Sequence, residues 1–406
     1  MSRLHMPKWS GYVVLLTIAA AVVLAAALDP AIIGNNFPDQ FASFKKTAID
    51  TDSTPYGGSK PFDKLERDPS LKRLYAGYAF AVEYNEERGH YYALIDQQTS
   101  KRVEVASQPG ACANCHASEA PELIEQMGWE TFCKTPLKEL SGKLHHGTSC
   151  VDCHDPDTME LRISRRAFIE GMAQRGVDVT NASQQLMKSY VCGQCHSEYY
   201  FKGENKLLTF PWKNGLTIDD IENYYNEVGF SDWTHAETGG PILKVQHPDL
   251  EMWSTGIHAK SGVSCADCHM AKIKSGDSKY TDHQVRSPLL AGMRACKVCH
   301  QRSEKDLRDR VALIQDRTAG LLKDTEVALI DAIDAIKAAK QAGATSADLT
   351  KAYQLYRSAQ LRWDFVSSEN GMGFHSPQEA ARILATSIDR ARQAQLAAVQ
   401  FNKKID

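Results

Sequence analysis

Cys192-Gly-Gln-Cys195-His196 places two thiols three positions apart, with an imidazole directly after the second. The same pattern recurs at Cys112-Ala-Asn-Cys115-His116, Cys150-Val-Asp-Cys153-His154, Cys265-Ala-Asp-Cys268-His269 and Cys296-Lys-Val-Cys299-His300, so ten of the 11 cysteines share one spacing. Two such thiols on one helical turn can each form a thioether to a porphyrin vinyl group. The next residue then sits under the iron, and this is the spacing of c-type haem attachment. Structural zinc does not require histidine after every cysteine pair, and a disulfide scaffold would not repeat one spacing five times. The sequence therefore predicts five covalent haems, numbered here in motif order. Cys133 is left over and reads as a buried thiol packing as a small hydrophobe, with an intermolecular or reactive role as the alternative.

Around these motifs the 406-residue chain is compositionally ordinary, with 43% apolar and 24% charged residues and a net charge of -3. Nothing in that balance points to nucleic acid, and it does not single out a substrate. Residues 1–28 stand apart: Arg3 and Lys8 precede an uncharged run from Gly11 to Leu28. This reads as an export signal or, since the run is near the lower limit for spanning a bilayer, as a retained anchor. Either outcome places the rest of the chain outside the cytoplasmic membrane.

Fourteen histidines less the five motif histidines leave His5, His90, His145, His146, His235, His247, His258, His283 and His375. A haem that only carries electrons usually has two strong protein ligands, whereas one that binds substrate keeps a face open. Enough candidates remain to cap every iron, so counting does not separate an electron carrier from an enzyme.

Residues 29 to 60 are polar, lack a convincing period and read as an extended lead-in. From 61 to 300 the haem motifs are separated by short helices and loops such as Lys274 to Thr281, with little alternation of the kind that marks strands. The fold expected is mainly α with little β, its core filled by porphyrin and its protein wrapped around that core in short pieces. From 301 to 406 the character changes. Leu307, Val311, Ile314, Leu321, Leu329, Ile333 and Ile336 mark a long amphipathic helix ending near Gly343. A second helix is expected from about Ser346 to Val366, and a third from Ser376-Pro377-Gln378-Glu379, a capping box with proline at the first helical position. The apolar stripes fit either packing onto the haem region or a helical dimer interface.

Several further stretches carry a family resemblance: Cys192 through Tyr199-Tyr200-Phe201, Leu243-Lys-Val-Gln-His-Pro248, Tyr84-Asn85 with Arg88-Gly89-His90, Phe230-Ser-Asp-Trp233, Gly256-Ile-His258 and Tyr280-Thr-Asp-His283. With the order and spacing of the five motifs, the chain resembles the pentahaem ammonia-forming cytochrome c nitrite reductases from about Leu74 to the C-terminal helices. The resemblance implies six-electron reduction of nitrite to ammonium at an open haem 1, lined by Arg102, Tyr199 and His247. A cation and hydrogen-bond donors suit the nitrite oxygens and the charge that develops as N–O bonds break. It implies His90 as distal ligand of haem 3, His258 of haem 5, His283 of haem 2 and His375 of haem 4, with His145, His146 and His235 at the surface.

It further implies one calcium ion held by the Glu198 carboxylate, the Tyr199 and Lys244 carbonyls and the Gln246 side chain. Oxygen-only ligation suits a hard cation, although Glu198 in a salt bridge to a lysine is the plainer alternative. Its implied partners are nitrite, a membrane multihaem quinol dehydrogenase or soluble multihaem donor, and a second copy of the chain in a periplasmic homodimer. His116 departs from the lysine usual at that position in the family, which retunes the potential and substrate affinity of that iron. The rival functions are a pure electron-transfer cytochrome with all irons capped, and a related reductase acting mainly on hydroxylamine or sulfite.

Overall fold

The structure, a computed structural model, describes residues 29–86 and 88–402, so the segment read as a signal or anchor lies outside the described residues. Among the described residues no helix is long and apolar enough to cross a membrane.

Residues 29 to 60 depart from the extended lead-in expected of them. They form the helices Pro30–Gly34 and Pro38–Phe44, a 3₁₀ turn at Lys45–Ala48, and a hairpin pairing Ser53–Thr54 with Gly57–Gly58. The helices rest on start signals rather than on an apolar period. The Asp29 carboxylate accepts the Ala31 N–H at 2.8 Å, and Pro30 and Pro38 each bring a preset φ to a first turn. This segment also holds a site residue, because Ser43 bonds the Asp282 carboxylate and its Oγ accepts the His283 N–H at 2.9 Å.

Through the motif region the chain runs in helices of one to three turns, joined by loops and small antiparallel hairpins. One hairpin corrects the expectation of a loop over Lys274 to Thr281. Lys272–Ser275 pairs with Ser278–Thr281 around Gly276-Asp277, where Gly276 has φ +58°. A two-residue connection needs such left-handed backbone, and a glycine leading it is the signal that the polar composition masked.

Three long helices close the chain: α1 (Glu304–Gln341), α2 (Thr350–Ser367) and α3 (Pro377–Asn402). The Ser303 hydroxyl caps α1 by accepting the Asp306 N–H, and the chain turns out of it at Gly343 with φ +97°. α2 starts slightly later than Ser346 because Thr345 and Asp348 exchange side-chain-to-backbone hydrogen bonds in a preceding turn. α3 starts at the expected proline, with the Glu379 carboxylate turned to Arg382. The α1 stripe packs inside the chain: Leu329, Ile333 and Ile336 are buried in the same apolar cluster as Tyr356 and Trp363 of α2 and Ile383 and Leu384 of α3. α2 is buried nearly all round and includes a buried ion pair, Asp364 with Lys244 at 3.0 Å.

Most of the buried apolar side chains among the described residues fall into two clusters. One surrounds these helices, and the other is built on Phe132, Phe168, Phe210 and Trp212. The main interior space belongs to neither: a continuous cavity of about 2400 Å³ is lined by all ten motif cysteines. That is several times the roughly 300–1,000 Å³ of an ordinary small-molecule pocket. Backbone approaches closely beside it at Gly256, where an added Cβ would overlap the His375 carbonyl oxygen. Gly256→Ala is therefore expected to displace the His375 segment and cost about 1–3 kcal/mol, read as a lower thermal midpoint with a change in the low-spin haem spectrum.

Candidate active site

Each attachment motif lies on a single turn, which puts both thiols and the histidine on one side of the backbone. The first thiols, Cys112, Cys150, Cys192, Cys265 and Cys296, and the second, Cys115, Cys153, Cys195, Cys268 and Cys299, all reach the cavity wall with the histidine that follows them. The His154 and His196 N–H groups donate to the Cys150 and Cys192 carbonyls, each at 2.9 Å, and the His300 N–H to the Cys296 carbonyl at 2.8 Å. In two motifs the intervening residues help nucleate that turn. Ser149 with Asp152, and Ser264 with Asp267, form capping boxes around the first cysteine.

The imidazoles are oriented for metal binding. His116, His154, His269 and His283 have Nδ1 at 3.0, 2.8, 3.1 and 2.7 Å from the carbonyl oxygens of Ala93, Met159, Arg286 and Thr281. A carbonyl only accepts, so each Nδ1 carries its proton and each Nε2 presents a lone pair. Burial pushes His90 and His269 down to about 4, keeping them in the neutral form that ligates metal.

Four ring pairs then face one another: His154–His283, His90–His196 and His258–His300 at 6.3 Å between centroids, and His269–His375 at 6.2 Å. Two metal–nitrogen bonds of about 2.0 Å, plus the radius of each ring, fill that separation. The four pairs bring together the histidines that the resemblance assigns as distal and proximal ligands. His196 also has His247 at 6.4 Å. That second neighbour shares a segment with Asp249, which already occupies the His196 Nδ1 at 3.1 Å, so His90 is the better partner for an iron. Among the described residues no histidine ring faces His116 at this spacing.

Arg102, Tyr199 and His247 all line the cavity, as do the five motif histidines and the four facing histidines. Arg102 is clamped rather than freely solvated. Its guanidinium lies 4.4 Å over the Phe80 ring and its Nε donates to Ser100 Oγ at 3.0 Å. Tyr199 is buried, with its ring 5.5 Å from Phe201. The three histidines assigned to the surface divide. His145 is exposed, and His146 is partly buried with Nδ1 at 2.7 Å from the buried Glu119 carboxylate. His235 corrects the expectation: it is fully buried, its Nε2–H donates to the Arg73 carbonyl at 2.8 Å, and its Nδ1 accepts the Glu237 and Thr238 N–H groups. Its two backbone-satisfied nitrogens explain why it can be interior without binding metal. Cys133 is fully buried, its thiol pushed up by burial to about 12.

Of the residues assigned to calcium, the buried Glu198 meets the Gln246 backbone. Its Oε2 accepts the Gln246 N–H at 2.6 Å and its Oε1 the Tyr225 hydroxyl at 2.7 Å. The Lys244 ammonium points to Asp364 and to the Val245 carbonyl, and among the described residues Glu198 forms no ion pair, so the salt-bridge alternative is not realised. Glu251 and Asp232 lie close by, and burial raises all three carboxyls, Asp232 to about 7 and Glu251 to about 8. Three dry carboxyl groups close together are an environment that a hard, oxygen-seeking cation relieves. Sequence reading gave no role to Asp232, Asp249, Glu251, Asp364, Glu369 or Phe80; Asp232 lies in the quoted stretch Phe230 to Trp233, and Asp249 had a local signal, a Pro-Asp helix start directly after His247.

An interior given over to facing imidazoles and paired thiols is that of a multihaem c-type cytochrome. More narrowly, this chain belongs to the cytochrome c552 family, which it matches over residues 29–405. It is 42% identical over 377 residues to cytochrome c-552 of Parabacteroides distasonis, covering 91% of this chain and 76% of that one. It is 41% identical to cytochrome c-552 of Porphyromonas gingivalis, covering 89% and 74%. Its structure is similar to the cytochrome c nitrite reductase catalytic subunit of Desulfovibrio desulfuricans, which has two calcium sites. That similarity has a TM-score of 0.88 and 33% identity, covering 92% of this chain and 86% of that chain.

Proposed function

We propose that this chain reduces nitrite to ammonium at haem 1, held by Cys112, Cys115 and His116, and that haems 2 to 5 deliver electrons to it. The observation that carries this reading is the pairing of imidazoles: among the described residues the eight assigned axial histidines of haems 2 to 5 face one another in four pairs, and no histidine ring faces His116 at that spacing. When bound, a haem of that ligation supplies an open coordination position and electrons one at a time.

The protein's part is to bind, orient and protonate. Arg102, clamped over Phe80, offers a fixed guanidinium to the anionic oxygens of nitrite and to the negative charge that grows as they leave. Tyr199 and His247, which line the same cavity, are the proton donors, since conversion to ammonium takes up eight protons with six electrons. A calcium ion on the Glu198 carboxylate, the Tyr199 and Lys244 carbonyls and the Gln246 amide oxygen would fix the segments bearing both donors. Glu198→Gln removes the only side-chain charge in that set. It is expected to lower calcium from about one per chain to a small fraction after dialysis, with a parallel fall in nitrite turnover; unchanged metal content would reject the site.

Export to the periplasm, a homodimer built on the long C-terminal helices, and a multihaem quinol dehydrogenase or soluble multihaem donor complete the proposal. The division at about residues 60 and 300 separates a short N-terminal helical segment, the catalytic region and the dimerisation region. Turnover on nitrite, hydroxylamine and sulfite with one artificial donor tests the activity. Nitrite should be consumed at a rate comparable with or above the others, with ammonium as product; negligible nitrite turnover would overturn the reading.

A further inference from the structure

The axial histidines differ in what stands behind them. Four rest on neutral backbone carbonyls through Nδ1, whereas His196 Nδ1–H donates to the Asp249 carboxylate at 3.1 Å. Asp249 is buried and held as an anion, because its two oxygens also accept the backbone and side-chain N–H groups of Asn370, each at 2.8 Å. His375 has a carboxylate behind it as well. Its Nδ1 contacts Glu369, whose oxygens accept the Gly371 and Gly373 N–H groups at 2.9 Å, and Asp249 Oδ1 lies 3.9 Å away. The loop from Glu369 to Gly373 after α2 thus fixes both carboxylates.

We propose that Asp249 and Glu369 are positioning residues that lower the reduction potentials of haems 3 and 4, Asp249 by sharing the Nδ1 proton of His196 and Glu369 by holding a negative charge against the His375 ring. A carboxylate draws that proton toward itself, the imidazole becomes a stronger donor, and the oxidised iron gains more than the reduced iron. Potential at haem 3 bears directly on haem 1, because Cys115 Sγ lies 3.9 Å from the carbonyl of Gln194 in the third motif. A more reducing haem 3 makes the transfer onto haem 1 more favourable. The inference rests on the axial assignments proposed above.

The test is a spectroelectrochemical titration of the purified five-haem protein, following each low-spin signal by electron paramagnetic resonance, in wild type, Asp249→Asn, Asp249→Glu and Glu369→Gln. Outer-shell partners of metal-bound histidines are typically worth about 10- to 100-fold. Asp249→Asn should therefore raise the reduced-to-oxidised ratio of one bis-histidine haem about tenfold at fixed poise, equivalent to about 59 mV for a one-electron couple. Glu369→Gln should shift a different haem in the same direction, and Asp249→Glu should restore most of the first shift. If Asp249→Asn fails to mature, Glu369→Gln alone carries the test. Potentials unchanged or more negative in a variant that retains five haems would overturn the proposal. The axial assignment fails separately, if His375→Ala leaves every low-spin signal in place.

Discussion

Arg102→Ala is expected to lower nitrite turnover by about 10²–10³-fold while all five haems remain attached. The magnitude follows from the task. A preorganised cation acts where charge develops, and truncation leaves the leaving oxygens to be solvated by water that must reorganise. The geometry supplies the preorganisation: the guanidinium is pinned between the Phe80 ring at 4.4 Å and Ser100 Oγ at 3.0 Å, so little entropy is lost when substrate arrives. Arg102→Lys keeps the charge but loses the planar stack and should fall between the two. Steady-state kinetics with a haem count per chain reads both effects, and kinetics of Arg102→Ala within a few-fold of wild type would remove Arg102 from the pocket chemistry.

Asp364→Ala is expected to cost about 3–5 kcal/mol of stability, because it leaves the Lys244 ammonium buried without its counter-ion. Asp364 Oδ1 accepts from the Tyr75 hydroxyl at 2.6 Å and the Lys244 ammonium at 3.0 Å, while Oδ2 accepts the Val245 N–H at 2.9 Å. After truncation the ammonium keeps the rings of Tyr75, Phe80 and Tyr84, at 5.3, 5.0 and 5.6 Å, a hydroxyl and a carbonyl, with the Asp232 carboxyl as the nearby acidic group. Adding Lys244→Met to Asp364→Ala should recover much of the loss, since it removes the stranded charge and keeps the Lys244 backbone. Denaturant unfolding checks both variants, and a single-variant loss below about 1 kcal/mol would mean that the pair behaves like a surface bridge.

The parts of this account legible in the sequence share one property: their information is local. The attachment motifs lie within five residues each, and the capping boxes Ser149–Asp152 and Ser264–Asp267 are visible beside them. The long helices are marked by period, by a serine cap at Ser303 and by Gly343. What stayed hidden joins distant residues. Asp364 and Lys244 are 120 positions apart, and Asp249 meets Asn370 across 121. His235 looked like a spare polar residue because nothing nearby in sequence shows that the Arg73 carbonyl would receive its proton. The distal histidines came through resemblance alone, and the four facing pairs give them a geometric basis that counting could not. Residues 29 to 60 were misjudged for another reason: their helices are too short to display a period, and only prolines and one aspartate mark where they begin.

The central claim is that one iron, at His116, lacks the second imidazole that the other four possess. Electron paramagnetic resonance of the oxidised protein, with and without nitrite, reads that difference directly. A high-spin component, or a coupled signal containing one, that changes when nitrite is added is the result this structure predicts. Five low-spin haems indifferent to nitrite would contradict it and make the chain an electron carrier on the same scaffold.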